Sequence, residues 1–141
     1  VNYILDTNVI SELVAAQPNP NVIQWIEEVD PDTIFLSVIA IGELKKGIEK
    51  LPKSKRKELL DRWLHEDLLT RFEEHILPID TETMLLWGTL HAQLEAAGRP
   101  ISAMDALLAA TTQQHHCTLV TRNTAHFVNT GIPLKNPWEE A

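Results

Sequence analysis

Short apolar, β-branched runs alternate with amphipathic helical stretches along the chain, and this alternation restricts the fold more than any other feature. Tyr3-Ile4-Leu5 reads as a short buried strand over residues 2–5. Val9-Ile10 and Leu13-Val14 come at helical spacing directly after Asp6-Thr7-Asn8, so the first turn joins a strand to a helix. Gln17-Pro18-Asn19-Pro20 breaks that helix, and Val22, Ile23, Trp25, Ile26 and Val29 mark a second one that ends before Asp30-Pro31-Asp32. Thr33 to Ser37 predicts a strand and Val38 to about Lys50 a helix with Ile41, Leu44 and Ile48 on one face. After Pro52, Leu59, Leu60, Trp63, Leu64 and Leu68 predict another amphipathic helix. His75 to Ile79 predicts a third strand, and Thr81 opens a long helix carrying Met84, Leu85, Trp87, Leu90 and Leu94, with Gly98 at its C-terminal end. Ser102 to about His115 is a further helix, Cys117 to Thr121 a strand, and a short turn or helix precedes Pro133. A last strand at Leu134-Lys135 carries the weakest signal. Such alternation implies right-handed crossovers and a mostly parallel α/β sheet covered on both faces.

At 141 residues and 44% apolar content, the chain fits one domain, 1–141, with an ordinary buried core. No run approaches the roughly 18 uncharged apolar residues of a membrane span, and the N-terminus does not read as a signal segment, so a cytoplasmic protein without a membrane partner is expected. Cys117 is the single cysteine, which excludes an intrachain disulfide and a thiolate metal site; it reads as a small buried filler at a strand start. The six histidines form no zinc pattern. Trp25, Trp63 and Trp87 lie in apolar helical stripes, as core or dimer contacts, whereas no role is read for Trp138.

The formal charge of −8 argues against binding nucleic acid through overall positive charge. The distribution alters that picture, because eight of the 12 basic residues fall between positions 45 and 62. They form either a phosphate-contacting arm or a solvated helix face with ion pairs such as Glu58 to Arg62.

Three acidic residues stand out against this framework. Asp6 closes the first strand, Glu43 sits on the helix after Ile34-Phe35-Leu36, and Asp105 lies near the start of the helix before Thr118-Leu119-Val120-Thr121; Asn123 comes directly after that last strand. Ligands of open α/β sheets gather beyond the carboxyl ends of the strands, where Asp6 and Asn123 fall. Oxygen ligands of this kind suit Mg²⁺ or Mn²⁺, and an ion held there activates water against a phosphodiester. Thr7 can add a hydroxyl hydrogen bond to a carboxylate or the scissile phosphate. Each residue also has a plain structural use. Asp6, Thr7 and Asn8 are good helix caps, Ser102 to Asp105 has capping-box spacing, and Asn123 can cap the segment after it. Glu43 has apolar or small neighbours in sequence, so it reads as a buried carboxylate needing a partner, either a metal ion or Lys45 or Lys46.

These motifs resemble a known family. Ile4-Leu5-Asp6-Thr7-Asn8, Ser37 to Leu44, Gly98-Arg99-Pro100-Ile101 to Asp105-Ala106-Leu107-Leu108-Ala109-Ala110, and Leu119-Val120-Thr121-Arg122-Asn123 with Phe127 are similar in order and spacing to PIN-domain ribonucleases, closest to the VapC and FitB-like toxins. The resemblance implies a three-layer α/β/α sandwich and a dimeric, Mg²⁺- or Mn²⁺-dependent endoribonuclease acting on RNA. It further implies a small VapB/FitA-like antitoxin that holds the enzyme inactive and itself binds operator DNA. By position Asp6, Glu43 and Asp105 match the acidic ligands and Asn123 the fourth position, which is aspartate in many relatives. His126 replaces another frequent aspartate. A neutral carbonyl at Asn123 weakens a tightly held second ion. Arg99 and Ser102 also lie in family motifs, where Arg99 either contacts phosphate or pairs with an acidic neighbour. The rivals are a noncatalytic PIN-like module whose acidic groove docks a basic protein and, less favoured, an aspartyl-phosphate enzyme using Asp6 as nucleophile, which lacks the second aspartate and the lysine that such chemistry uses.

Overall fold

A computed structural model describes residues 1–139. Five parallel strands, β1 (Tyr3–Leu5), β2 (Ile34–Ser37), β3 (Ile76–Leu77), β4 (Thr118–Val120) and β5 (Leu134–Lys135), form one sheet in the order β3-β2-β1-β4-β5. Its helices are α1 (Thr7–Leu13), α2 (Pro20–Glu28), α3 (Val38–Glu49), α4 (Lys55–Arg62), α5 (Leu69–Arg71), α6 (Thr81–Ala96), α7 (Ala103–Gln114) and α8 (Thr124–Phe127).

The period of two along each strand sorts side chains onto two layers. Leu5, Ile34, Leu36 and Val120 enter a core shared with Val9 and Ile10 of α1, Val22 of α2 and Leu44 and Ile48 of α3. Ile4 and Leu119 enter the opposite core, against Leu90 and Leu94 of α6 and Leu108 and Ala109 of α7. The result is the expected α/β/α sandwich, and α3 and α7 approach the sheet from different sides.

Local signals set most element ends. Asn19 caps α2 by accepting the Asn21 N–H at 2.9 Å, with Pro20 at the first helical position. At the end of α6, Gly98 adopts φ +69°; its N–H donates to the Glu95 carbonyl at 3.1 Å, and the Arg99 N–H donates to Leu94 at 2.9 Å. This pair of bonds is the Schellman closure that an αL residue permits.

Several expectations need correction. The third strand shrinks from 75–79 to Ile76–Leu77 because it is a sheet edge and Pro78 has no N–H to donate. The helix expected around 59–68 begins at Lys55 and passes into a π-helical turn over Trp63–Leu68, burying Leu64 and Leu68 while Leu59 stays exposed. On α6, Met84 and Leu85 face solvent, and Thr83 is buried instead, closing a capping box with Asp80. Trp138 is no loose tail: it packs on the first core, its carbonyl accepts from Asn21 at 2.9 Å, and Arg122 lies 5.2 Å over its ring. Cys117 is buried as expected. Among the described residues no helix is long and apolar enough to cross a membrane.

Candidate functional site

Because β2 flanks β1 on one side and β4 on the other, the carboxyl ends of β1 and β4 border the crevice where sheets of this kind take ligands. Pairing Leu5 with Val120 brings the next residues, Asp6 and Thr121, together at that edge. The buried Asp6 carboxylate is held from three directions. Its Oδ1 accepts the Thr7 N–H at 2.7 Å, and its Oδ2 accepts the Thr121 hydroxyl at 2.8 Å and the Asn8 amide at 3.4 Å.

Glu43 reaches the site from α3. The Thr7 hydroxyl donates to its Oε1 at 3.1 Å, so Thr7 ties Asp6 to Glu43 through one backbone and one side-chain bond. Contrary to the expectation of a buried carboxylate, Glu43 is exposed, with its carboxylate partly desolvated and bonded to Thr7. Ala40 and Leu44 turn into the first core and Ile41 packs against it, whereas Glu43 points out of it, a distinction of helical phase. Neither suggested lysine forms an ion pair with it: Lys45 bridges Glu49 at 3.0 Å and Asp61 at 2.7 Å, and Lys46 acts only through its nearby charge. The pair suggested between Glu58 and Arg62 is likewise absent among the described residues.

Asp105 comes from the first turn of α7. Ser102 is the cap, its hydroxyl accepting the Asp105 N–H at 3.1 Å, but the Asp105 side chain does not return the bond. Its carboxylate therefore stays available to the crevice, with His126 Nδ1 3.6 Å from Oδ2. Asn123 is brought only partly into place. Its N–H donates to the Thr121 hydroxyl at 3.1 Å, whereas its side chain is exposed and caps nothing in α8.

The three acids feel one another's charge. Burial raises the Asp6 pKa most, Thr121 and the Thr7 N–H oppose that rise, and the charge of Asp105 adds to it. Glu43 is raised by partial desolvation and by the charges of Asp6 and Asp105, against the lowering effects of Thr7 and Lys46. The oxygen donors suit a hard divalent cation. As placed, however, no three His, Cys, Asp or Glu side chains among the described residues converge tightly enough to hold one ion together. Mutual repulsion of like charges works against such convergence until a cation neutralises them.

Sequence reasoning read Asn8 only as a helix cap and gave Thr121 no part in the site. Thr121 is fully buried and serves Asp6, Asn8 and Asn123 at once, and Asn8 also accepts the Arg122 N–H at 3.2 Å. A hydroxyl at the end of a strand was the available signal, but it pointed to Asp6 only once β1 and β4 were known to be neighbours.

Comparison with known proteins places this geometry. The PIN-domain family model matches residues 3–132. Toxin FitB of Neisseria gonorrhoeae is 34% identical over 137 residues, 97% of this chain and 99% of that protein. VapC ribonuclease Y4jK of Sinorhizobium fredii is 36% identical over 138 residues, 98% of this chain and 99% of that one. The crystal structure of FitAcB from Neisseria gonorrhoeae superposes with a TM-score of 0.93 at 34% identity, covering 98% of this chain and 99% of that chain. With the sandwich fold and the motif order in agreement, the chain belongs to the PIN-domain family.

Proposed function

We propose that this chain is an endoribonuclease that hydrolyses RNA phosphodiester bonds with Mg²⁺ or Mn²⁺ and is restrained by a small antitoxin. The observation that carries the reading is that Asp6, Glu43 and Asp105, from three separate elements, lie within reach of one another's charge at the carboxyl edge of the sheet. Its relatives' names, a toxin and a ribonuclease, support it. Asp6, Glu43 and Asp105 would hold the ion, with the Asn123 carbonyl as a neutral fourth donor. The bound ion would supply an activated water and neutralise charge on the phosphoryl oxygens.

The chain's own residues orient the site. Thr121 and the Thr7 N–H hold the Asp6 carboxylate in one direction, and the Thr7 hydroxyl fixes Glu43 beside it. Because both acids have raised pKa values, loading a cation releases protons at any pH low enough for those carboxyls still to hold them. An antitoxin with a basic segment is electrostatically complementary to such a crevice. Exposed Met84 and Leu85 on α6 offer an apolar face for a homodimer, and the net charge of −8 leaves operator DNA to the antitoxin. We place the protein in the cytoplasm, as one domain.

The test is cleavage of a pool of structured and single-stranded RNA with Mg²⁺, with Mn²⁺ and with chelator. Asp105→Asn should abolish metal-dependent cleavage while melting as the wild type does, since Ser102 keeps the cap. Cleavage at the wild-type rate by the folded variant would remove Asp105 from the mechanism. The exposed, neutral Asn123 favours a second reading, a noncatalytic module docking a basic protein; no cleavage and no calorimetric metal binding would establish that instead.

A further inference from the structure

An acidic protein that cleaves RNA must meet its polyanionic substrate with the few cations left free near the site. Several basic residues are already engaged. Lys45 is paired with Glu49 and Asp61, and Lys57 donates to the Glu49 and Leu51 carbonyls. Arg99 donates to Asn129 at 2.6 Å, and Arg122 lies over Trp138. Lys46 and Lys50, three and seven residues after Glu43, share its face of α3 and have no partner among the described residues. All three line a cavity of about 510 Å³ together with Val38, Ile79 and Met104, each of which exposes apolar surface.

We infer, building on the nuclease reading, that Lys46 and Lys50 form a phosphate track leading the RNA strand away from the acidic cluster, with the flanking base resting on the Val38, Ile79 and Met104 floor. The distance along the helix from Glu43 to Lys50 is roughly 10 Å at 1.5 Å per residue, which leaves room for a nucleotide beside the cut. Gly42 and Gly47 keep the helix surface low beside the lysines, since a side chain at either would project into open space. The sign of charge decides the occupant: two free ammonium groups attract phosphates and repel the basic segment that an acidic crevice would favour. An apolar, aromatic-free floor supports a base without reading its identity, so Lys46 and Lys50 position the strand and leave sequence choice to other residues.

The experiment compares wild type, Lys46→Ala/Lys50→Ala and Lys46→Arg/Lys50→Arg on a fluorescently labelled single-stranded RNA pool. Cleavage is followed with Mg²⁺ or Mn²⁺, and binding by anisotropy in chelator across a salt series. The alanine pair should raise KM about tenfold with kcat changed by less than about twofold, and flatten the slope of log Kd against log salt by about 1.4, at ~0.7 per phosphate contact. The arginine pair should restore all three. Cleavage with unchanged KM, Kd and salt slope in the alanine pair overturns the track and leaves the nuclease reading intact. Salt-dependent binding that is lost in the alanine pair, without cleavage by any form, supports the track and overturns the nuclease reading. Wild type that neither binds nor cuts RNA overturns both, and unchanged RNA binding with weakened capture of a glutamate-rich peptide assigns the groove to a protein instead.

Discussion

Thr121 contributes through one hydroxyl that meets Asp6, Asn8 and Asn123 inside the sheet edge. Thr121→Val keeps the shape and removes every one of those bonds, so we expect a loss of about 1–3 kcal/mol in chemical denaturation. An unchanged midpoint would mean that water replaces the hydroxyl. Asp6 carries a pH signature of its own. Burial makes its folded carboxyl hold a proton more tightly than its ordinary value of 3.8 implies. Its contribution to stability is therefore full below that value and is lost as pH rises through the raised one. Asp6→Asn keeps a good cap without the charge. In chelator the melting point of this variant relative to the wild type should be highest at neutral pH and should fall as pH drops toward 3.8. A gap independent of pH would show that the charge of Asp6 is not what strains the site.

At the scale of elements, the end of α6 decides where Asp105 stands, because only Ala97 to Ser102 separate it from α7. Gly98 closes α6 at φ +69° with open space around its missing side chain, so Gly98→Ala meets no clash and costs only the left-handed backbone penalty of about 1–2 kcal/mol. A thermal melt checks this, and a neutral result would mean that the closure has moved. The α6 helix also illustrates what a hydrophobic stripe hides. Met84 and Leu85 looked like core residues in sequence, yet Leu85 is 69% exposed and Thr83 takes the buried position. If that face is a dimer contact, Leu85→Lys should shift the protein toward monomer in sedimentation without lowering its melting point. A monomeric wild type would end the dimer reading.

Across the whole molecule, charge is segregated. The net value of −8 coexists with a basic stretch from 45 to 62, part of which closes α3 against α4 through Lys45 and Asp61 and part of which stays free beside the acidic crevice. The surface Lys45 network is worth little to stability and is screened by salt. Free lysines beside the site matter more for where a polyanion travels. The two cores have a similar division of labour: α3 and α7 approach from opposite layers, so Glu43 and Asp105 reach the edge near Asp6 from different faces of the sheet.

Local chemistry made much of this readable in advance. The α/β alternation, Asp6 at the end of the first strand, Ser102 as a cap, Gly98 as a stop and even the weak Leu134-Lys135 strand arise from periodicity and turn residues acting over a few positions. The strand order β3-β2-β1-β4-β5 involves partners more than a hundred residues apart in sequence, and no local pattern encodes it. That order alone makes Thr121 a neighbour of Asp6. Helical phase then exposed Glu43, which apolar neighbours in sequence had suggested was buried, while the Asn123 side chain, which could have capped α8, makes no cap bond there. Sequence determined which residues could do chemistry, because residue type and local geometry are written there. Tertiary packing decided which of them share water, charge and hydrogen bonds, because burial and long-range pairing exist only once both layers have closed on the sheet.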